Sequence, residues 1–283
     1  MDLHRLDVAA IVERIQTEDE AVPRAMAGAR QSLTAFIEAA EPGFVAGGRL
    51  VYVGAGTSGR LGVLDASEAP PTFQVPPGRI VGIIAGGDAA LRVSSEGKED
   101  DPRGAAAELD ALGLTARDAV IGIAAGGTTP YVLGALAHVK GLAAAPLTAL
   151  LTCSPVGTGS VAGADHLLVL DTGPEVITGS TRMKAGTATK LALNTISTTL
   201  MIRTGKVYEN LMVDLRATNE KLRDRAARIV STLTGLDRAA AFALLERAEG
   251  SVKVAVVMAR LGVDEPTARM RLSATHERLG ETL

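Results

Sequence analysis

The sequence predicts an α/β fold: a doubly wound, mostly parallel five-stranded sheet with N-terminal helices and a small C-terminal helical module. Three observations predict it. Five short aliphatic runs, at 49–56, 79–87, 118–127, 146–154 and 166–173, alternate little between apolar and polar residues, as strands buried on both faces of a parallel sheet do. Longer helical patterns separate them, which is the rhythm of βαβ units. All five runs end in Gly or Ser, and ligands of such sheets bind beyond the carboxyl ends of the strands.

Composition narrows the function classes. Aromatic residues make up only 2% of the 283 residues and tryptophan is absent, so the core must be built from Ala, Val, Leu and Ile, the many alanines favouring helices. The net charge is −3 and no long basic run occurs, which excludes sequence-independent nucleic-acid binding through clustered Lys and Arg. Cys153 is the sole cysteine, so neither a disulfide framework nor a thiolate metal cluster is expected. His4, His138, His166 and His276 lack ligand spacing, and no metal site is expected. No secretory signal follows Met1, and no run approaches the ~20 apolar residues of a membrane span. A cytoplasmic, non-membrane protein is the expectation.

Taken in order, residues 7–40 carry apolar positions at helical spacing. The pattern is interrupted at 17–23, where Thr17 and Glu20 have the form of a capping box restarting a helix. Helices between the strand runs are expected at 57–67, 88–111 and 130–140, with a short turn near 157–162. A long helix follows at about 186–203. The last sixty residues read as three short helices N-capped by Asp237, Ser251 and Asp264, with Pro266 in the first turn of the third. We divide the chain into a domain over 1–222 and a small module over 223–283.

Four stretches carry candidate chemistry. After the first strand run, Gly54-Ala55-Gly56-Thr57-Ser58-Gly59 leads into a helix. Such a turn lets backbone amides approach an anion, with Thr57 and Ser58 as hydroxyl donors; it reads equally as a tight turn capped by Thr57. No Gly-Lys-Ser/Thr follows, so it is not a Walker loop. No acidic residue closes the next strand, so a dinucleotide site is the weaker reading. The turn Gly126-Gly127-Thr128-Thr129 after the third run offers two more hydroxyls before Pro130. Taken alone it is an ordinary turn; beside the first, it makes the other half of a clasp for a phosphorylated sugar. Residues 175–190 gather Ser180, Thr181 and Lys184 before the long helix, either as ligand donors or as a capped helix start with solvated charges. Glu68 and Glu99 complete the set; singly, each reads as a solvated surface carboxylate.

Three stretches in this order, "VGAGTSGRLGVLDASEAPPTF", "EVITGSTRMKAGTATK" and "NLMVDLRATNEKL", strongly resemble the N-acetylmuramic acid 6-phosphate etherases. That family lies in the sugar-isomerase (SIS) superfamily and is related to the glucokinase regulatory protein. The resemblance runs from about Leu6 to the C-terminal helices. It implies an SIS-type sheet and a cytoplasmic homodimer acting on a phosphorylated amino sugar without metal or organic cofactor. The implied activity is release of D-lactate from N-acetylmuramic acid 6-phosphate, leaving N-acetylglucosamine 6-phosphate, in peptidoglycan recycling. The family's acid–base glutamates match Glu68 and Glu99. On chemical grounds we assign Glu99 as the base at C2 and Glu68 as the acid at the departing lactyl oxygen. Gly56, Thr57, Ser58, Gly126, Gly127, Thr128, Thr129, Ser180, Thr181 and Lys184 become the expected substrate-binding residues.

Two departures accompany the resemblance. Gly126 stands where the family usually has serine, and the chain begins later than most relatives, without an arm ahead of Leu6. A geometric difficulty accompanies it too. A straight helix from Ser58 puts Glu68 about 15 Å from a phosphate at the turn, so either the helix bends near Gly62 or Glu68 serves a neighbouring subunit. A non-catalytic sugar-phosphate sensor and a sugar-phosphate isomerase are the alternative functions; retention of both glutamates argues against the sensor.

Overall fold

The structure is a computed structural model that describes residues 2–156, 163–215 and 220–283. The short turn expected near 157–162 lies outside the described residues. By internal contacts the chain divides into two compact units, residues 1–68 with 77–197 and residues 69–76 with 198–283. The module expected at 223–283 lies within the second.

The first unit opens on α1 (Val8–Asp19), α2 (Ala21–Gly28) and α3 (Arg30–Val45). The restart comes at Glu20 rather than Thr17, which sits inside α1, and the Glu20 side chain makes no capping hydrogen bond. Backbone continuity does the work a capping box was expected to do. The chain then builds β1 (Leu50–Gly54), α4 (Gly56–Phe73), β2 (Ile80–Ile84), a short α5 (Ala106–Ala111), β3 (Ala119–Ile123), α6 (Pro130–Lys140), β4 (Leu147–Thr152), β5 (His166–Val169) and α7 (Lys184–Arg203). All five strands are parallel, in the order β2-β1-β3-β4-β5. This is the doubly wound sheet expected, and each strand falls inside its predicted run.

Both faces of the sheet are covered. Val51, Val53, Val120 and Leu150 pack with Leu109 of α5 and with Val132, Leu136 and Val139 of α6. Helix α3 covers β3, β4 and β5 on packing contacts, and α4 comes so close that a Cβ on Gly62 would stand 2.8 Å from Tyr52 Cβ.

Two helices differ from expectation. Only 106–111 of the predicted 88–111 is α-helical; two 3-10 turns, Gly87–Leu91 and Glu96–Lys98, precede it. Pro102 and Gly104 stand between, and the Asp101 carboxylate accepts from Arg103 N at 2.9 Å, a local bond that competes with helix. Conversely, α4 does not stop at 67. It runs on through Pro70 and Pro71 to Phe73, although each proline removes a helical donor.

Asp118 ties the lower edge of the sheet, at the end of the strands opposite their carboxyl termini. It is 2% exposed and accepts from Arg49 N at 2.7 Å, Arg49 Nη2 at 2.9 Å and Thr115 N at 2.7 Å. Burial would raise its carboxyl pKa, but the bonds from Arg49 and Thr115 outweigh burial and hold it below the ordinary 3.8. A depressed folded value means the stabilisation is complete above 3.8 and is lost as pH falls through the lower folded value. Asp118→Ala is expected to cost about 3 kcal/mol, as removal of one partner of a buried ion pair does. In thermal melts the gap between wild type and variant should be widest near neutrality and close below pH 3.8; a gap independent of pH would contradict this.

The second unit contains a two-stranded hairpin, β6 (Val207–Tyr208) with β7 (Leu211–Met212), then α8 (Glu220–Thr234), α9 (Arg238–Arg247), α10 (Val252–Leu261), α11 (Glu265–Ala274) and α12 (Leu279–Thr282). Asp237, Ser251 and Asp264 cap α9, α10 and α11 as expected. Their core gathers Val230, Leu233, Ala241, Val256 and Leu272. Among the described residues, no helix is long and apolar enough to cross a membrane.

Candidate active site

The strand order places β1 between β2 and β3, so the chain reverses its winding direction there, and the crevice above the carboxyl ends of β1 and β3 is the natural ligand site. Gly54 is in register with Ile123. The two glycine-rich turns therefore emerge from adjacent strands, about 5 Å apart.

The first turn depends on its glycines. Gly56 has φ +50, the left-handed region that glycine enters without strain. Gly54 and Gly59 meet backbone to backbone; a Cβ on Gly54 would lie 2.6 Å from Gly59 N. That contact seats the first turn of α4 on the end of β1, with its free amides and positive dipole end at the crevice. Thr57 and Ser58 occupy this first turn, half-buried.

In the second turn Gly127 has φ +73 and packs near Thr152, whose hydroxyl donates to Ala125 O at 3.0 Å. Gly126 and Thr128 are exposed and Thr129 is half-buried just ahead of Pro130. Among the described residues, a Cβ on Gly126 would meet only Thr128 Oγ1, at 3.8 Å.

Glu99 lies between the two turns. A Cβ built on Gly56 would stand 3.1 Å from Glu99 Oε1, while the Glu99 carbonyl accepts from Tyr131 N at 3.0 Å in the first turn of α6. Its backbone is thus fastened beside the second turn and its carboxylate lies over the first. The short-turn path of 87–104, in place of a long helix, makes this position reachable.

Ser180, Thr181 and Lys184 approach from another direction. A Cβ on Gly186, in the first turn of α7, would be 3.4 Å from the Thr57 methyl and 3.5 Å from Thr181 O, which brings this segment beside the first turn. Ser180 is half-buried and Thr181 exposed. Lys184 is 3% exposed, and its Nζ donates to Glu18 Oε2 at 2.8 Å. The amides of Lys184 and Ala185 donate to the Glu175 carboxylate at 3.1 and 2.9 Å. Glu175 was not singled out from sequence; it stands nine residues ahead of its partner, outside any local capping pattern.

Glu68 is elsewhere. Helix α4 runs without interruption past Gly62, and ten residues from Ser58 to Glu68 span about 15 Å. Glu68 is exposed on the wall of a cavity of about 160 Å³ between α4 and α7, lined also by Leu61, Leu64, Asp65, Lys190, Leu193 and Asn194. Beneath Glu68, Asp65 accepts from Tyr52 Oη at 2.8 Å and Ser197 Oγ at 3.1 Å. Burial raises the Asp65 carboxyl pKa against these two bonds and the nearby Lys190 charge. Asp65 and Lys190 were missed from sequence, although Asp65 precedes Glu68 by three residues, the spacing of neighbours on one helix face.

Within one chain, then, the structure brings together Gly56–Ser58, Gly126–Thr129 and Glu99, with Ser180 and Thr181 alongside, and sets Glu68 apart. Among the described residues, no group of three or more His, Cys, Asp or Glu side chains is arranged to hold a metal ion.

Comparison with known proteins gives this arrangement a family. A family profile described as the glucokinase regulatory protein N-terminal SIS domain matches residues 33–140. The N-acetylmuramic acid 6-phosphate etherase of Deinococcus radiodurans is 51% identical over 271 residues, 96% of this chain and 88% of that protein. The protein of the same name from Gloeobacter violaceus is 53% identical over 257 residues, 90% of this chain and 83% of its own. Among solved structures, a phosphoheptose isomerase from Francisella tularensis shares the fold with a TM-score of 0.50 at 18% identity, over 68% of this chain and 98% of that one. Identity near one residue in two, sustained over nearly the whole length, decides the matter: this chain belongs to the N-acetylmuramic acid 6-phosphate etherase family.

Proposed function

We propose that the protein is a carbon–oxygen lyase that cleaves the D-lactyl ether of N-acetylmuramic acid 6-phosphate, as its relatives' names describe, in the cytoplasm. The observation that carries this reading is the Glu99 carboxylate lying over Gly56 between two glycine- and hydroxyl-rich turns. A hexose 6-phosphate whose phosphate sits on the first turn holds C2 six bonds from phosphorus, where a base is needed.

The chemistry uses each part. Ring opening exposes the C1 aldehyde, which acidifies the C2 hydrogen. Glu99 takes that proton, and the enolate is stabilised by nearby donors. The C3–O bond breaks as Glu68, protonated, gives its proton to the lactyl oxygen. Water then adds across the C2–C3 double bond: hydroxide equivalent to C3, proton to C2. One substrate and one water become N-acetylglucosamine 6-phosphate and D-lactate.

The separation of Glu68 from the turns along α4 supports a second element of the reading. The working unit is a homodimer, in which one subunit supplies the turns and Glu99 and its partner supplies Glu68. Incubation with N-acetylmuramic acid 6-phosphate should yield equimolar D-lactate and N-acetylglucosamine 6-phosphate. Sugar-phosphate isomerisation without lactate would contradict the reading, as would binding without turnover.

The phosphate contact has its own test. Ser58→Ala should weaken binding of the phosphorylated sugar by about 1.5–3 kcal/mol, the worth of a hydrogen bond to a charged group, while leaving the unphosphorylated sugar unaffected in calorimetry. Gly126→Ser should tighten binding, since a Cβ there meets nothing closer than 3.8 Å among the described residues. Equal affinities for all three proteins would remove both turns from the phosphate site.

A further inference from the structure

We propose, on the etherase reading above, that the cavity beside Glu68 is the subsite for the acidic ether substituent, and that Lys190 selects a carboxylate there. A lactyl group presents three chemical faces from one carbon: a methyl, a carboxylate and the ether oxygen. The cavity offers a partner for each. Leu61, Leu64 and Leu193 form an apolar wall, and Leu64 is 45% exposed, a large side chain left in water. Among the described residues Lys190 is the only cation lining the cavity, with the Asn194 amide one turn further along α7. Glu68 stands on the same wall, where the ether oxygen would be protonated.

The charges are arranged for an incoming anion. Among the described residues, Lys190 makes no hydrogen bond or ion pair. The obvious competitor, the Asp65 carboxylate, is occupied by Tyr52 and Ser197. Burial raises the Asp65 carboxyl pKa. The cavity holds about 160 Å³, room for a three-carbon acid. Lys190 therefore acts in binding and specificity, not in proton transfer.

The test compares N-acetylmuramic acid 6-phosphate with its lactamide analogue, in which a neutral carboxamide replaces the carboxylate. Wild-type enzyme should favour the acid about 10-fold in KM, the scale of one charge-assisted contact in a partly open site. Lys190→Met should raise KM for the acid by the same factor, leave KM for the lactamide unchanged and change kcat little for either; Lys190→Arg should retain the preference. Thermal melts confirm that each variant is folded. Equal turnover of acid and lactamide by wild type would overturn the assignment even if no variant folds, and so would a Lys190→Met loss that is the same for both substrates. Failure of wild type to release lactate from the acid would instead overturn the etherase reading itself, and this subsite with it.

Discussion

Glu99→Ala is expected to lose both lactate release and exchange of the C2 hydrogen with solvent deuterium, whereas Glu68→Ala loses release and keeps exchange. The difference follows from the order of bond changes. With Glu99 absent, nothing over the first turn removes the C2 proton, so no enolate forms. With Glu68 absent, the enolate forms and returns, carrying deuterium back to C2, but the lactyl oxygen has no acid and stays bound. Loss of a general acid or base typically costs ~10²–10⁴-fold, so lactate release in either variant should fall by about that much. Proton NMR in D₂O follows the C2 signal directly. Exchange surviving only in Glu99→Ala would reverse the two roles. Undiminished release in both variants would make the two glutamates ordinary surface carboxylates.

Mixing the two inactive variants is expected to restore about a quarter of wild-type activity. If each site takes Glu99 from one subunit and Glu68 from the other, a hybrid dimer has one site with both glutamates intact and one with neither. Random pairing makes half the dimers hybrid, and each hybrid has one working site of two. Neither parent dimer contains an intact site, so the gain is measured against almost nothing. The motive is geometric: Glu99 lies over Gly56, while Glu68 is about 15 Å along an unbroken helix from Ser58. A mixture that stays inactive after subunit exchange would place both glutamates in one chain's site. Sedimentation of a fully active monomer would do the same.

Much of the fold was legible because its signals are local. The five strand runs are short and aliphatic, lie between helical patterns and end at Gly or Ser, and each strand lies within its run. Asp237, Ser251 and Asp264 announce their helices by side chains that accept from amides three residues on. The misses have a common cause. Thr17 and Glu20 satisfy a capping pattern in letters, yet Thr17 stays helical because the chain turns later, at Glu20. Residues 88–111 carry helix formers, but the segment must fold back so that Tyr131 N can donate to Glu99 O. The helix expected to end at residue 67 continues through Pro70 and Pro71 to Phe73.

The sequence by itself determined the sheet, the two glycine-rich turns and, through three long motifs, the family. These are written in contiguous residues, where spacing along the chain equals spacing in the structure. Only the tertiary structure decided which of the singled-out groups meet. It carried Glu99 from a charge run onto Gly56, forty-three positions earlier in the chain. It gave the Lys184 ammonium to Glu18, the start of α7 to Glu175 and the Asp65 carboxylate to Tyr52 and Ser197. It also set Lys190 beside Glu68, on a different helix. Each of these contacts lies outside any local capping or helix-face pattern, and such contacts are chosen by how helices pack on a sheet, not by any pattern a single segment can carry.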